Sequence, residues 1–377
     1  MACELEYDFT YSFFYAIIFL GDTMKIAIDK NSLKAIDNEN EFIYLYDNEP
    51  YKQLEKLNLH CIDYRYCHHV DINLTNWNVK CYKKAKITDE QWNVLPAVKE
   101  FKIGIIVPNY NYANWLDKCL ESILNQKYKN YEIIFIDDCS TDNSVDVAKR
   151  TYKNYLLNKY GYNDDSCTLE KMKIIQLKQK RLNGGARNEA YLHLSDDVDY
   201  VYYIDSDDWL IDDDVLGDIN MALQKEPDVL FVGLLASCNG KITVSKQPKY
   251  QDKYEAMEGW SGSCGKVIKK ELATRQECLY DEGTLKEDKN QHCKICIYMN
   301  SFEVLDRCVY VWNRDNINSV TTIRDKATWG TSTLRHLADT EKLYLLERGK
   351  DKRIDGILQQ RVQKMKDEIL NNGDRQW

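Results

Sequence analysis

The spacing of apolar positions changes along the chain. Between residues 24 and 97 they form short runs, Lys25–Ile28 and Glu41–Tyr46, separated by Asp/Asn-rich turns at 37–40 and 47–50. Such runs between turn formers predict the strands of a small α/β or β-rich module. From Phe101 the rhythm becomes strand, loop, helix, strand. Ile103–Val107 is unbroken apolar, as in a strand buried on both faces. Leu116, Cys119, Leu120, Ile123 and Leu124 then fall at helical spacing. Glu132–Ile136, Lys173–Leu177, Val201–Ile204 and Val229–Leu234 read as further buried strands. This alternation predicts an α/β fold, a mostly parallel central sheet with helices on its faces. Beyond Arg324 the spacing is helical: Leu334, Leu337, Leu343 and Leu346 precede Gly349, and Ile354, Leu358, Val362, Met365 and Ile369 follow it. A helical pair broken at the glycine is expected. The reading divides the chain into an N-terminal accessory module (1–97), an α/β domain (98–323) and a helical C-terminal tail (324–377).

In an open parallel sheet, ligands bind beyond the carboxyl ends of the strands. Three predicted strands end there in polar clusters. These are Pro108-Asn109-Tyr110-Asn111, Asp137-Asp138-Cys139-Ser140-Thr141-Asp142 and Asp205-Ser206-Asp207-Asp208. Adjacent carboxylates repel unless a cation or a hydrogen-bonding ligand compensates. A lone Asp-x-Asp is common on solvated turns; three polar strand ends in one array point to a site. Gly259-x-x-Gly262-x-x-Gly265-Lys266 invites a phosphate-loop reading, but Trp260 breaks the glycine pattern and Val267 replaces Ser/Thr.

With these pieces in order, residues 101–314 resemble the catalytic domain of the family 2 inverting glycosyltransferases, which have the GT-A nucleotide-sugar fold. The matching segments are the opening strand with Pro108–Asn111, the Leu120–Gln126 helix and the Asp137-Asp138-x-Ser140-x-Asp142 turn, followed by Asn183-Gly184-Gly185-Ala186-Arg187-Asn188 and Asp205–Asp208. Gly265-Lys266-Val267-x-Lys269, Glu287-Asp288 and Tyr310-x-Trp312-x-Arg314 complete the series; the resemblance implies that the Gly259–Lys266 run is the family's Gly-Lys segment under the acceptor site, which accounts for it better than a phosphate loop does. The loop around Gly184-Gly185 is tighter than the family's usual spacing.

The resemblance implies a metal-dependent inverting glycosyltransferase moving a sugar from a nucleotide diphosphate sugar, a UDP-sugar in the first place, to an acceptor hydroxyl. Nucleotide-sugar binding falls to Pro108, Tyr110, Asn111, Asp138, Arg187, Asp205 and Ser206. Asp138 would accept from the N3–H of uracil and Tyr110 would stack on the base or simply wall the loop. Asp137 is expected to cap the following helix with Ser140 and Thr141. Arg187 suits a phosphate or carboxylate, or a plain salt bridge to the acidic cluster. The cofactor implied is a divalent metal, Mn or Mg, on Asp207, with Asp205 facing the ribose or reaching the ion through water. Asp208 is assigned to capping near Asp212–Asp214, a run read as solvated surface, and Trp209 to packing. Asp288 would be the general base with Glu287 as its neighbour. Without the motif order, two acids at a helix start are ordinary dipole-favoured residues.

Composition narrows the alternatives. The 377 residues carry 51 Lys+Arg against 60 Asp+Glu, a net charge of −9, which disfavours non-specific nucleic-acid binding. With 27 Tyr, 8 Trp and only 5 Pro, the chain is too aromatic for disorder. The 13 Cys are odd in number and scattered through apolar segments, which indicates a reducing, cytoplasmic setting. Two groups invite a zinc test: Cys61 and Cys67 with His60, His68 and His69, and Cys293-x-x-Cys296 after His292. Neither has a second clean ligand pair, unless Cys81 serves the first, and buried thiols are the better reading. Phe13–Leu20 is strongly apolar but far shorter than the ~20 residues of a membrane span, and acids precede it where a signal peptide is basic. It reads as a strand or short helix.

Two readings compete with transfer. A sugar-nucleotide pyrophosphorylase would want a Gly- and Arg/Lys-rich first loop, which Pro108–Asn111 is not. A non-catalytic carbohydrate-binding or scaffold protein would more readily lose Asp207 or Asp288, and both are present. The acceptor stays open among polysaccharide, glycan, lipid, protein and modified DNA base. The N-terminal module and the tail could select it or make a homo-oligomer.

Overall fold

The computed structural model describes residues 99–160, 171–317, 319 and 326–373, together with six strands between residues 17 and 83. The chain divides into two compact units, Met1–Lys99 and Glu100–Trp377. In the first, β1 (Ile17–Phe19), β2 (Lys25–Asp29), β3 (Lys34–Asp37), β4 (Phe42–Tyr46), β5 (Cys61–Asp63) and β6 (Val79–Lys83) form a sheet of order β1-β2-β3-β4-β6-β5. Each of its pairings is antiparallel. The antiparallel pairing of β2, β3 and β4 follows from the short connections between these apolar runs, which leave no room for a crossover helix. The apolar stretch near the N-terminus supplies β1. The side chains of the Cys61/Cys67/His68 cluster lie outside the described residues.

The second unit opens with β7 (Ile103–Asn109), α1 (Ala113–Leu124), β8 (Tyr131–Asp137), α2 (Ser144–Tyr160), β9 (Met172–Gln176), α3 (Leu182–Ala190) and β10 (Tyr200–Tyr203). Next come β11 (Trp209–Leu210), α4 (Val215–Ala222), β12 (Val229–Cys238), β13 (Lys241–Lys246), α5 (Lys253–Glu258) and β14 (Lys266–Lys269). The unit ends with α6 (Glu287–Tyr298), β15 (Phe302–Asn313), α7 (Lys326–Glu347) and α8 (Lys352–Gly373). The sheet order is β11-β15-β12-β14-β10-β7-β8-β9, with β13 on β12. Strands β7, β8, β9, β10, β12 and β15 run one way, and β11, β13 and β14 run against them. The parallel half, β10-β7-β8-β9, comes from the strand–helix alternation; β14 reverses direction between β10 and β12.

Every residue of β7 and β8 is buried, and successive side chains serve opposite faces. Ile103, Ile105 and Val107 pack with Leu116, Leu120, Val147 and Leu216 on one side. Ile106, Ile134 and Ile136 pack on the other with Ala186, Cys293, Cys296 and Leu358. His292 joins that second face, its Nε2 2.8 Å from the Ala256 carbonyl. Burial pushes both thiols up, so this trio is core and forms no metal cluster among the described residues.

The helical pair forms around Gly349, whose φ of +85° lies where a side chain is strained. Asp351 restarts the chain by accepting from the N–H groups of Arg353 and Ile354. Leu343, Ile354 and Leu358 are buried in the sheet's second face, so the tail is packed into this unit. No helix among the described residues is long and apolar enough to cross a membrane.

Because Leu358 is fully buried there, Leu358→Ala should destabilise the whole second unit by about 2–5 kcal/mol. Chemical denaturation followed by intrinsic fluorescence and far-UV dichroism should show one shifted transition. A separate early transition of helix alone would mean that the tail folds on its own.

Candidate active site

The carboxyl ends of β7 and β8 are laced together by short polar side chains. Asn109 Nδ2 donates to Asp137 Oδ1 (2.9 Å) and to Ser140 Oγ (3.1 Å), and Asn111 N donates to Ser140 Oγ (2.9 Å). Asn111 Oδ1 accepts from Thr141 N at 2.7 Å. This holds Asn111 and Cys139 at φ +57° and +64°, in the left-handed region that Asn tolerates better than most residues. Asp137 does not cap the following helix, as its position suggests it should. It accepts from Ser140 N and Oγ and so fixes its own turn, while Asp142 takes N and Oγ of Ser144 at the start of α2.

Asp138 accepts from Arg181 N (2.6 Å) and Leu182 N (2.8 Å), two backbone donors at the start of α3. Its carboxylate thus anchors a turn in which Leu182 has φ +59°. Lys180, just before that turn, places Nζ 3.3 Å from the Tyr110 ring centroid, a cation–π contact. Sequence patterning gave no hint of Lys180, since a surface lysine in a loop has no periodicity.

One turn of α3 further on, Arg187 is 3% exposed. Its Nη2 donates to Asp205 Oδ1 and its Nη1 to Glu287 Oε1, both at 2.7 Å. Gly184 makes this approach feasible, because a Cβ there would fall against the Asp281 carbonyl and the Glu287 side chain. Gly184 and Gly185, expected in a loop, thus lie within α3 itself, on the helix that carries Arg187. Burial and the adjacent Asp288 push the Glu287 carboxyl up, with Arg187 pulling against them.

The Asp205–Asp208 turn follows β10. Asp207 accepts from Asn316 Nδ2 at 2.8 Å; burial and the charge on Asp205 raise its pKa to about 6. Asp208 is not a helix cap. It is buried and accepts from Tyr310 Oη (2.5 Å) and Asn313 N (2.7 Å), which ties the turn to β15. Nor is Asp212–Asp214 merely solvated: Asp213 and Asp214 pair with Lys127 and Asp212 with Arg307. Trp209 packs as expected, with Lys118 Nζ over its ring. Asn316 was missed because its partnership with Asp207 spans more than a hundred residues.

Glu287 and Asp288 open α6. The segment around them is held from the tail: Leu285 N donates to Ser332 Oγ (3.2 Å), Lys286 Nζ to Thr333 Oγ1 (2.7 Å), and Thr340 Oγ1 to Asn290 Oδ1 (2.9 Å). Asp288 itself makes no hydrogen bond or ion pair among the described residues. All the residues singled out from the sequence, Pro108, Tyr110, Asn111, Asp138, Arg187, Asp205, Ser206, Asp207, Glu287 and Asp288, line one cavity of about 750 Å³. Lys180, Trp260, Trp312 and Ser319 share it.

Comparison with known proteins agrees with this geometry. The family model described as Glycosyl transferase family 2 matches residues 104–292. GlyA, a glycosyltransferase of Streptococcus pneumoniae serotype 4, is 26% identical over 230 residues, covering 56% of this chain and 30% of GlyA. The poly(ribitol-phosphate) beta-glucosyltransferase of Bacillus spizizenii is 30% identical over 143 residues, covering 37% of this chain and 20% of that protein. The chain thus spans less than a third of either relative. The crystal structure of S. aureus TarS 1-349 in complex with UDP-GlcNAc superposes with a TM-score of 0.51 at 18% identity, covering 72% of each chain, a likeness of fold. Since the family model spans half of the chain, from β7 into α6 and through the ends of β7, β8 and β10 that line the cavity, the chain belongs to glycosyl transferase family 2 and has its GT-A fold.

Proposed function

We propose that the chain moves a glycosyl group from a nucleotide diphosphate sugar, a UDP-sugar in the first place, to an acceptor hydroxyl in one inverting displacement. Asp288 carries this reading. Every other carboxylate lining the cavity is engaged: Asp138 by backbone N–H groups, Asp205 and Glu287 by Arg187, Asp207 by Asn316, Asp208 by Tyr310 and Asn313. Asp288 alone among these described residues keeps both oxygens uncommitted. A base for an acceptor hydroxyl needs that freedom, and its partnered neighbour Glu287 lacks it.

The strand-end side suits the donor. Tyr110 offers a ring for the base, and Asp138 keeps lone pairs for a base N–H beyond the two backbone donors it already serves. Ser206 Oγ, buried and without a hydrogen-bond partner, is a group left for a ligand. That TarS, which shares the fold, was solved with UDP-GlcNAc supports a nucleotide-sugar donor.

The acids also fit a divalent cation. Asp205 and Asp207 each have one oxygen engaged and one left over, and the raised Asp207 marks negative charge that a cation would relieve. Asp207 with Asp205 would hold an Mg²⁺ or Mn²⁺ ion, which when bound supplies neutralisation of the leaving diphosphate. In the reaction Arg187 keeps Asp205 and Glu287 in place, and Asp288 takes the acceptor proton.

Two outcomes test the reading. Asp288→Asn keeps shape but not basicity, so turnover should fall roughly 10²–10⁴-fold while the Kd for UDP, measured by calorimetry, stays at the parental value. Near-parental turnover, or a retained anomer in the product by NMR, would defeat the mechanism. Asp207 gives a pH test. Its folded-state pKa is raised from 3.8 to about 6, so the folded chain binds the proton more tightly than the unfolded one. That contribution is full below about pH 4 and is lost as pH rises through 6. Asp207→Asn should therefore raise stability on the order of 2 kcal/mol at pH 7.5, do little at pH 4, and abolish any thermal gain from Mn²⁺ with UDP. Equal melting curves for variant and parent at both pH values would remove the crowded carboxylate from the account.

A further inference from the structure

The Gly259-x-x-Gly262-x-x-Gly265 run, whose Gly265-Lys266 end the family resemblance puts under the acceptor site, makes a seat for aromatic rings. A Cβ at Gly262 or Gly265 would fall on the Trp260 indole, and one at Gly259 would strike the Tyr250 ring. The backbone of this run therefore lies close against both aromatics. Tyr250 Oη accepts from Trp260 N at 3.3 Å. From below, the fully buried Lys266 donates Nζ to the carbonyls of Ser261 (2.8 Å) and Gly262 (2.7 Å). A buried ammonium spent on two loop carbonyls fixes the height of the Trp260 platform.

Half-buried Trp260 lines two cavities. One is the 750 Å³ site that holds Asp288; the other, of about 450 Å³, is walled by Phe231, Gln247, Tyr250 and Glu258. Leu234 and Lys246 also line both, so the two spaces adjoin along a rim of Trp260 and Lys246. The Lys246 ammonium makes no hydrogen bond or ion pair among the described residues. The second space is of ligand-pocket size and combines aromatic faces with a few polar groups. That mixture suits a pyranose, with an apolar face and a rim of hydroxyls. A lipid tail would leave Lys246, Gln247 and Glu258 desolvated to no purpose.

We infer that the second cavity is a subsite for an extended acceptor saccharide. The reacting sugar lies over Trp260 beside Asp288, and the preceding unit passes the Trp260–Lys246 rim into the second cavity. The acceptor is then at least a disaccharide. This rests on the transfer reading, and the test separates the two. UDP release from UDP-glucose, UDP-galactose and UDP-N-acetylglucosamine is measured with Mn²⁺. Each donor is assayed alone and with matched mono- and disaccharides of glucose, galactose, N-acetylglucosamine and mannose. At least one disaccharide should accelerate release with a KM about tenfold or more below that of its monosaccharide. Trp260→Ala and Lys246→Ala should each erase that difference, and Trp260→Phe should restore part of it, with the Kd for UDP reporting that each variant is folded. Should Trp260→Ala not fold, the exposed Lys246→Ala decides. Equal KM values for the two lengths, no acceleration by any saccharide while donor alone is hydrolysed, or a difference untouched by the variants would overturn the subsite. Absence of donor turnover under every condition would instead overturn the transfer reading beneath it.

Discussion

The site depends on one buried cation. Arg187 sits in the interior between a strand-end acid, Asp205, and a helix-start acid, Glu287, bonded to both. Taking a guanidinium out of water costs several kcal/mol, and two charge-assisted hydrogen bonds offset that cost only while both partners stay in place. Breaking such a buried pair typically costs about 3–5 kcal/mol. The triad therefore fixes the spacing between the two halves of the cavity. Around it, other features make the approach possible: Asp138 anchors the start of α3, and Gly184 lets that helix come against Asp281 and Glu287.

The same economy governs the acids. A cavity holding so many carboxylates would repel itself apart if each were free. Most are neutralised or bonded: by Arg187, by Asn316, by Tyr310 with the Asn313 backbone, and by the N–H groups of Arg181 and Leu182. What remains is Asp207 on one side, raised although Asn316 holds one of its oxygens, and on the other Asp288, unpartnered among the described residues. For the proposed transfer this asymmetry matters more than the number of acids, because it leaves a place for positive charge and a place for a proton.

The helical tail belongs to that arrangement. Ser332, Thr333 and Thr340 on α7 bond the residues flanking Glu287 and Asp288, while Leu358 on α8 is buried beneath the sheet. An element with no motif of its own thus sets where α6 begins. A run of glycines that departs from the phosphate-loop pattern likewise serves as the bed of Trp260.

Strand and helix periodicity was legible in the sequence because it is local. β7, β8, α1 and the helical pair about Gly349 follow from apolar spacing and one left-handed glycine. The strand-end acids were legible too, since strands of a parallel sheet must deliver their carboxyl ends to one edge. Partnership was not. The sequence makes Asp137 and Asp208 helix caps, yet one holds its own turn and the other is claimed by Tyr310 and Asn313 from a strand about a hundred residues later. Lys180 on Tyr110, Asn316 on Asp207 and the seat under Trp260 have no periodic trace either. Which carboxylate is engaged and which stays free is settled by groups brought together only when the sheet and its helices close. The sequence by itself placed the acids at one edge; the tertiary structure chose among them, because hydrogen bonding and burial act through space and not along the chain.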